Sequence, residues 1–304
     1  MNLSKRSTGL IVAECSMSHY NGDPDVNDAP RVTEDNYGIL SPQCLKHRTR
    51  SLIADPKSVI WDHLKDKFNL SINTHSIWES RLKGFDAKNA KEANDMARKL
   101  VREHGEEAAY KKYWDIRTFG CTALNEKDSS DTFRFTRTGC ISVAPLLTIL
   151  PVEIIEQTIM KSYPLSDKYA KEEQCCPAPL GMKVARHGLF VGSYTINPRD
   201  AHKTKTTEED IELFKTLLCA SLSTITSSGR SGLRIIQVLH ADHDNPLCSF
   251  NEQKFIKACT PEVVNESMLD NGIPSRSIED YILQIPEVVT EKMNGIKVVD
   301  LCQR

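Results

Sequence analysis

The order of strand-like and helix-like segments constrains the fold of this 304-residue chain more than any other feature of its sequence. In chain order the apolar pattern predicts a strand over 8–18, helices after Pro42, strands over 113–124, 132–149 and 182–197, a helix over 207–225, a strand over 232–240, and short strands near 280–285 and 296–301. This order favours an α+β fold, with helices on one face of an antiparallel sheet. We therefore expect one elaborated domain over residues 1–304.

The segment after Pro42 is predicted to be helical and to lead into an inserted group of helices over 54–112. The first helix has an apolar stripe formed by Leu45, Thr49, Leu52 and Ile53. Its cations Lys46, Arg48 and Arg50 are expected to project to other sides of the helix. A second helix is expected over 56–68. A third is expected over 87–104, with Asp86 as N-cap, Gly105 just past its end, and a buried face of Ala90, Ala93, Ala97, Leu100 and Val101.

Two further segments are predicted to be loops. Residues 19–31 are crowded with Asn, Gly, Asp and Pro, which favour turns directly after the first strand. Residues 161–181 are rich in charge and proline and are too long for a simple connection between core elements. We expect this second segment to protrude as a loop or hairpin.

Charge and cysteine content limit the class of protein. The formal net charge is −2, but residues 41–120 hold 16 Lys and Arg against 11 Asp and Glu, which suggests one basic face. The 10 cysteines are scattered without a Cys-x-x-Cys pair, and only a short apolar run, Leu10 to Ala13, follows Lys5 and Arg6. No apolar run reaches membrane-spanning length. These features predict a cytoplasmic protein with reduced thiols.

Three segments contain residues typical of catalytic or metal sites, and in each the ordinary structural explanation is preferred. His240-Ala241-Asp242-His243-Asp244 could supply metal ligands, but a polar turn after a strand also explains it. Ser228-Gly229-Arg230-Ser231-Gly232 lacks the Gly-x-Ser-x-Gly spacing of a nucleophile elbow. Cys175 and Cys176 are adjacent in the sequence and are interpreted as exposed thiols in a loop. Neither a phosphate loop nor a Gly-x-Gly-x-x-Gly fingerprint is present.

Several groups of residues suit an anionic, phosphate-containing partner. Lys46, His47, Arg48 and Arg50 follow the first loop, where Ser41 and Gln43 can add hydrogen bonds. Phe133, Phe135 and Arg137 share one face of a predicted strand that also holds Arg134, an arrangement that can stack a base, although half-buried packing explains it as well. Lys183, Arg186 and His187 form a further basic group. Together these groups favour RNA.

Longer motifs resemble the backbone subunit of type I Cascade complexes, closest to the type I-C kind. They are Asn21-Gly22-Asp23-Pro24-Asp25 with Ala29-Pro30-Arg31, Ser41 to Arg48, Tyr113-Trp114-Asp115-Ile116-Arg117-Thr118-Phe119-Gly120, Arg137-Thr138-Gly139, His187-Gly188-Leu189-Phe190 and Thr207-Glu208-Glu209-Asp210. In order and spacing they cover nearly the whole chain. Pro42 and His47 depart from the family pattern, which has an acidic residue and an arginine there.

The resemblance implies an RRM-like (ferredoxin-like) antiparallel-sheet palm with a helical insertion and a thumb-like hairpin insertion, for which 161–181 is the candidate. Copies would polymerise along a CRISPR RNA (crRNA) beside other Cascade subunits and present the guide to target DNA. The family's RNA-binding positions are carried over to Asn21, Gly22, Asp23, Ser41, Gln43, Lys46, Arg50, Arg117 and Arg137. No catalytic residue, metal or cofactor is implied.

Two alternative functions stay open at this stage. A related backbone subunit could cleave target RNA with Mg²⁺ and a loop aspartate, for which Asp23, Asp25 and Asp28 are candidates. A free-standing metal hydrolase would instead use His240 and His243.

Overall fold

A large antiparallel sheet organises the computed structural model, which describes residues 3–80, 89–124, 134–160, 179–224, 227 and 229–303. Within these residues the strands, numbered β1 to β14 in chain order, are Ser7–Ser18, Gly22–Asp23, Ala29–Pro30, Ile39–Leu40, Gly120–Leu124, Arg134–Thr138, Ile141–Val143, Leu146–Thr148, Ile154–Met160, Pro179–Ile196, Leu233–Asp242, Glu262–Val263, Tyr281–Ile282 and Val299–Asp300. The main sheet follows the order β14-β11-β1-β10-β8-β4, and β7 and β9 also pair with β10. The α+β class with a central antiparallel sheet is therefore confirmed.

Helices flank this sheet in the same described residues. Numbered α1 to α10, they are Pro42–Ser51, Val59–Phe68, Ile72–His75, Ala90–Lys112, Trp114–Phe119, Pro198–Thr204, Glu208–Thr224, Glu252–Cys259, Ser267–Asp270 and Pro286–Lys292. Short 3-10 helices cover Pro24–Val26, Trp78–Ser80, Ile278–Asp280 and Leu301–Gln303. None of the helices in the described residues has both the length and the apolar content needed to span a membrane.

Both faces of the sheet are covered, so the expectation of helices on one face is wrong. The central strand β1 contains the continuous apolar run Leu10 to Ala13, whose residues point alternately to the two faces. Ile11 and Ala13 join a core with residues of α1, α2 and α7. Leu10 and Val12 join a second core with residues of α8 and α10. An apolar run on both faces requires two covering layers, and the C-terminal segment provides the second.

Most of the predicted elements are present, with revised boundaries. The strands over 8–18, 182–197 and 232–240 and the helix over 207–225 are confirmed as β1, β10, β11 and α7, and the two short C-terminal strands as β13 and β14. The helix expected over 87–104 begins after Asn89 and continues to Lys112, with a kink at Gly105 (φ 75°, ψ 176°). Gly105 therefore interrupts a helix that it was predicted to end. Its predicted N-cap, Asp86, lies outside the described residues.

Two strand predictions are wrong in part. Residues 113–119 were predicted as strand, but Trp114–Phe119 forms the buried helix α5, and only Gly120–Leu124 is strand. The aromatic and β-branched content that suggested a strand is overridden by tertiary contacts of α5. The strand predicted over 132–149 is divided into β6, β7 and β8, with breaks at Gly139 and Pro145.

Paired strands flank the predicted protruding segment, and the second of them includes its last three positions. In register, β9 and β10 run from Ile154 opposite Ala185 to Met160 opposite Pro179. Positions 179–181 of the segment expected over 161–181 thus belong to β10. Positions 161–178 lie outside the described residues, so the thumb assignment stays a prediction, as does the boundary of the helical insertion over 54–112.

Candidate nucleic-acid interface

An open cleft of about 410 Å³ lies where β1 ends. The turn after β1, the helix α1 and the loop before β11 form its walls, which are lined by Tyr20, Asn21, Gly22, Cys44, His47, Arg48, Ser51 and Arg230. The sequence predicted a groove at the junction of the first loop and the first helix. The structure brings four of the predicted residues, Asn21, Gly22, His47 and Arg48, into one such cleft.

A side-chain bridge fixes the turn against the helix. The Ser41 Oγ donates to Oδ1 of Asn21 at 2.9 Å and accepts the backbone N–H of Cys44 at 3.2 Å, so that it is also the N-cap of α1. Asn21 is buried, and its carbonyl accepts the backbone N–H of Arg31 at 2.8 Å. Ser41, a predicted phosphate contact, and Asn21, expected to shape the loop, therefore both use their polar groups to form the corner of the cleft.

The rest of the turn is held by Asp23. Its Oδ1 accepts the backbone N–H of Asp25 at 3.2 Å and lies 3.4 Å from Nη2 of Arg31. Gly22 pairs with Pro30 across this small ribbon, and a Cβ at Gly22 would lie 2.8 Å from Oδ1 of Asp28. The Asn-Gly-Asp-Pro-Asp sequence thus folds back on itself, and its first two residues, Asn21 and Gly22, line the cleft.

The cations of α1 differ in exposure. His47 is exposed, as is Gln43 near the start of the helix, whereas Lys46 and Arg50 are half-buried. Arg48 is only 4% exposed although it lines the cleft, whereas Leu45 and Leu52 of the predicted stripe pack into the core. The Nζ of Lys46 lies 5.5 Å from the ring centroid of Phe119, a cation–π contact.

Positive charge is crowded along this helix. Burial and the nearby Arg50 lower the pKa of Lys46, and burial, Arg50 and Arg48 lower the pKa of His47. Within the described residues, the buried Nε of Arg50 has no hydrogen-bond partner. Like charges held close together disfavour their own protonation, and an anion beside them relieves that repulsion. The crowding favours a phosphate-bearing ligand beside α1, where His47 and Arg48 line the cleft and Lys46 and Arg50 lie outside its lining.

A comparison with known families agrees with this arrangement. The model of the family described as CRISPR-associated protein Cas7 matches residues 5–286. The chain belongs to the Cas7 family.

Solved structures add remote similarities to this Cas7-family chain. A chain of a CRISPR RNA-guided surveillance complex has 13% identity and a TM-score of 0.43, with 83% of this chain and 73% of that chain covered. A chain of a CRISPR RNA-guided surveillance complex in a pre-nicking state has 14% identity and a TM-score of 0.44, with 83% and 81% covered. No curated protein sequence matches the chain.

Arg117 lies in the protein interior, so the RNA contact predicted for it is wrong. Its Nη2 lies 2.6 Å from Oδ1 of Asp210, and its Nε donates to Oδ2 at 3.1 Å. The Nη1 donates to the carbonyls of Thr74, Tyr110 and Lys111 at 2.7–3.1 Å. These contacts leave Arg117 only 6% exposed in this Cas7-family fold. Its role is to join the inserted helices to the start of α7.

Arg137 lies outside the cleft lining. On β6 it donates to Oε1 of Glu106 at 2.6 Å and to the Tyr110 hydroxyl at 2.8 Å. The neighbouring Phe135 is 2% exposed and packs against Trp78 and Tyr110, so the base-stacking role considered for it is wrong. Phe133 lies outside the described residues.

The basic group on β10 is divided between surface and core. Lys183 is exposed on the arm of the β9–β10 hairpin. Arg186 pairs with Glu153 at 2.9 Å. His187 is 1% exposed, with its Nδ1 2.6 Å from the Ser275 hydroxyl and its Nε2 3.5 Å from Glu14. The predicted contact of His187 with RNA is therefore wrong, whereas Lys183 is open to solvent.

The two histidines of the suspected metal motif have different neighbours. His240 lies 2.8 Å from the Tyr194 hydroxyl and 3.1 Å from Asp242. His243 stacks on Phe250, with ring centroids 3.8 Å apart. The structure therefore does not bring His240 and His243 together as metal ligands.

A different group, His243, Cys248 and Glu252, has ligand atoms within 4.8 Å of one another. However, Nδ1 of His243 accepts the backbone N–H of Ser249 at 3.0 Å, which places the ring proton on Nε2, the nitrogen 3.6 Å from Glu252. Glu252 also accepts from Arg6 at 2.8 Å. A metal ligand must offer an unprotonated nitrogen, and a cation beside Arg6 would be repelled. This geometry fits a network of hydrogen bonds and an Arg6–Glu252 ion pair better than a metal site.

Arg230 and Tyr20 are cleft residues that the sequence analysis did not select. Tyr20 is fully buried, donates to the carbonyl of Arg31 at 2.7 Å and lies 4.7 Å from the ring of Phe190. Arg230 comes from a segment more than 180 positions further along the chain. In the sequence, only Gly229 and Gly232 mark the segment around Arg230 as unusual. Their spacing does not predict that this segment packs against the end of β1.

Proposed function

We propose that this chain is a guide-RNA-binding backbone subunit of a CRISPR surveillance complex. The observation that carries the proposal is the cleft at the end of β1, which in a Cas7-family chain combines the turn at Asn21 and Gly22 with His47 and Arg48 of α1. Lys and Arg neutralise phosphates whatever the base sequence. The subunit would grip the guide's backbone, and its bases would stay available for pairing with target DNA.

In this proposal the partners are crRNA, further copies of the same chain along it, and other Cascade subunits in the cytoplasm. The antiparallel order β11-β1-β10-β8, with α1 following β1 and α7 preceding β11, supports the RRM-like palm expected from the resemblance. We keep the type I-C kind as the proposed subtype because the quoted motifs resemble it most.

We further propose that the subunit is not a catalyst. Asp23 is engaged with Arg31 and with the backbone of its own turn, which gives this aspartate a structural task. Asp25 and Asp28 are exposed on the same turn, so a cleaving relative remains the alternative. Incubating the assembled complex with complementary RNA and Mg²⁺ decides between them: intact RNA supports the proposal, and regularly spaced cuts contradict it.

The RNA-binding proposal is tested by reversing charge on α1. We expect Lys46→Glu with Arg50→Glu to weaken binding of single-stranded RNA of any sequence by about tenfold or more at low salt, because two phosphate-neutralising groups become repulsive. The measurement is a filter-binding titration, with melting curves to check folding. Lys254→Glu with Lys257→Glu, two exposed lysines on α8 across the sheet, is the matched control. Equal affinities of the two double variants would contradict the proposal.

A further inference from the structure

The segment around Arg230 forms one wall of the cleft. We propose that Arg230 binds a guide phosphate there. This inference rests on the proposed RNA-binding function and adds one residue to it.

The backbone around Arg230 is fixed to the end of β1. The His19 N–H donates to the carbonyl of Gly229 at 2.7 Å, and the Ser16 N–H donates to that of Gly232 at 2.9 Å. Between these bonds the Ser18 hydroxyl donates to the Gly229 carbonyl and accepts the Gly232 N–H, both at 3.3 Å. Arg230 is therefore presented from a firmly attached loop.

The two glycines permit this close attachment. A Cβ at Gly232 would overlap the carbonyl oxygen of Ser16, so a larger residue would push the loop away from β1. A Cβ at Gly229 would lie 2.5 Å from Sδ of Met182, at the β10 arm of the hairpin. The loop is thus held between the end of β1 and the hairpin arm.

The charge of Arg230 is available to a ligand. Its side chain is exposed, and no carboxylate in the described part of the chain pairs with it. In contrast, Arg234 on the following strand pairs with Glu14 at 2.8 Å. A cation at the rim of a cleft that already contains His47 and Arg48 extends the positive surface to a second wall.

The test compares Arg230→Ala with wild type in titrations of an unstructured RNA of about 12 nucleotides over a range of salt concentrations. We expect roughly threefold to tenfold weaker binding and a salt slope lower by about 0.7, the value for one lost phosphate contact on a single strand. Arg230→Lys should restore the slope because a point charge still neutralises a phosphate. Arg199→Ala, at an exposed arginine on α6 outside the cleft lining, should match wild type.

The failure of this inference differs from the failure of the proposed function. If Arg230→Ala binds with wild-type affinity and slope while the α1 double variant is weakened, Arg230 is not a contact and the proposed function stands. If wild-type protein does not bind the RNA at low salt, the proposed function itself fails. Weakening by Arg230→Lys equal to that of Arg230→Ala would also overturn the assignment of a phosphate as the bound group.

Discussion

Arg117 and Arg50 show how the surroundings of an arginine decide its task. Both were expected to face RNA, yet Arg117 is enclosed by Asp210 and main-chain carbonyls, whereas Arg50 lies on the crowded positive side of α1. A buried charge needs a complete set of partners, and Asp210 with the carbonyls supplies it. The partner Asp210 lies 93 positions away from Arg117, so only the three-dimensional contacts identify Arg117 as a structural cation.

A mutation of Arg117 tests its structural role. We expect Arg117→Met to lower the free energy of unfolding by about 3–5 kcal/mol, because Asp210 is left buried without its partner. Arg117→Lys keeps the charge but loses the forked geometry, and should lie between this variant and wild type. Arg137→Ala, which removes an exposed ion pair, should cost less than about 1 kcal/mol. The measurement is urea denaturation.

If Arg117→Met has wild-type stability but binds RNA more weakly, Arg117 contacts RNA and its structural role is contradicted.

At the residue scale the sequence placed Asn21, Gly22, His47 and Arg48 correctly near one cleft, because they follow directly from one strand end and one helix. It did not select Arg230, which reaches the same cleft through tertiary folding.

At the scale of elements, Asp115 joins α5 to the 3-10 helix at Trp78–Ser80. Its carboxylate accepts the backbone N–H groups of Trp78 at 2.7 Å and Glu79 at 3.2 Å. The sequence could not indicate this, because the partners are more than 30 positions apart and the segment around Asp115 has the composition of a strand. The helix α5 exists because its buried polar groups find such partners.

This junction predicts a pH dependence. Burial raises the pKa of Asp115 to about 6, against an ordinary value of about 3.9 in the unfolded chain. The folded state therefore holds the proton more tightly, and this stabilisation is complete below about pH 4 and is lost as pH rises through about 6. As pH falls from about 7 to about 5, the free energy of unfolding of wild type should rise by on the order of 1–2 kcal/mol relative to that of Asp115→Asn.

Denaturation curves of the two proteins at several pH values give the difference between their free energies of unfolding. The titration of all other groups contributes equally to both proteins and cancels in this difference. Parallel stability profiles for wild type and Asp115→Asn would show that Asp115 does not hold its proton in the folded state.

At the scale of the whole molecule, the two layers around the sheet differ in charge. Residues 41–120 hold 16 Lys and Arg against 11 Asp and Glu, whereas residues 241–303 hold 11 Asp and Glu against 5 Lys and Arg. The basic region includes α1 on one face of the sheet, and the acidic region includes α8 and α10 on the other. The layer that contains α1 also contains α7, whose first turn holds Glu208, Glu209 and Asp210, so its positive charge is concentrated near α1 itself.

The α+β class of the fold was predictable from the sequence, but the covering of both sheet faces by helices was not. The order of segments was enough to predict an antiparallel α+β sheet. It did not reveal that α8 and α10 cover the second face, because these helices are only 8 and 7 residues long and depend on the packing of Phe255 and Val289 in the second core. The apolar run from Leu10 to Ala13 was the available signal that both faces are buried.

The most direct test of the account locates the RNA on the protein. RNA carrying 4-thiouridine would be cross-linked to the purified subunit and the attached peptides identified by mass spectrometry. The account predicts cross-links in the turn after β1, in α1 and around Arg230. Cross-links confined to α8 through α10, on the acidic side, would contradict it.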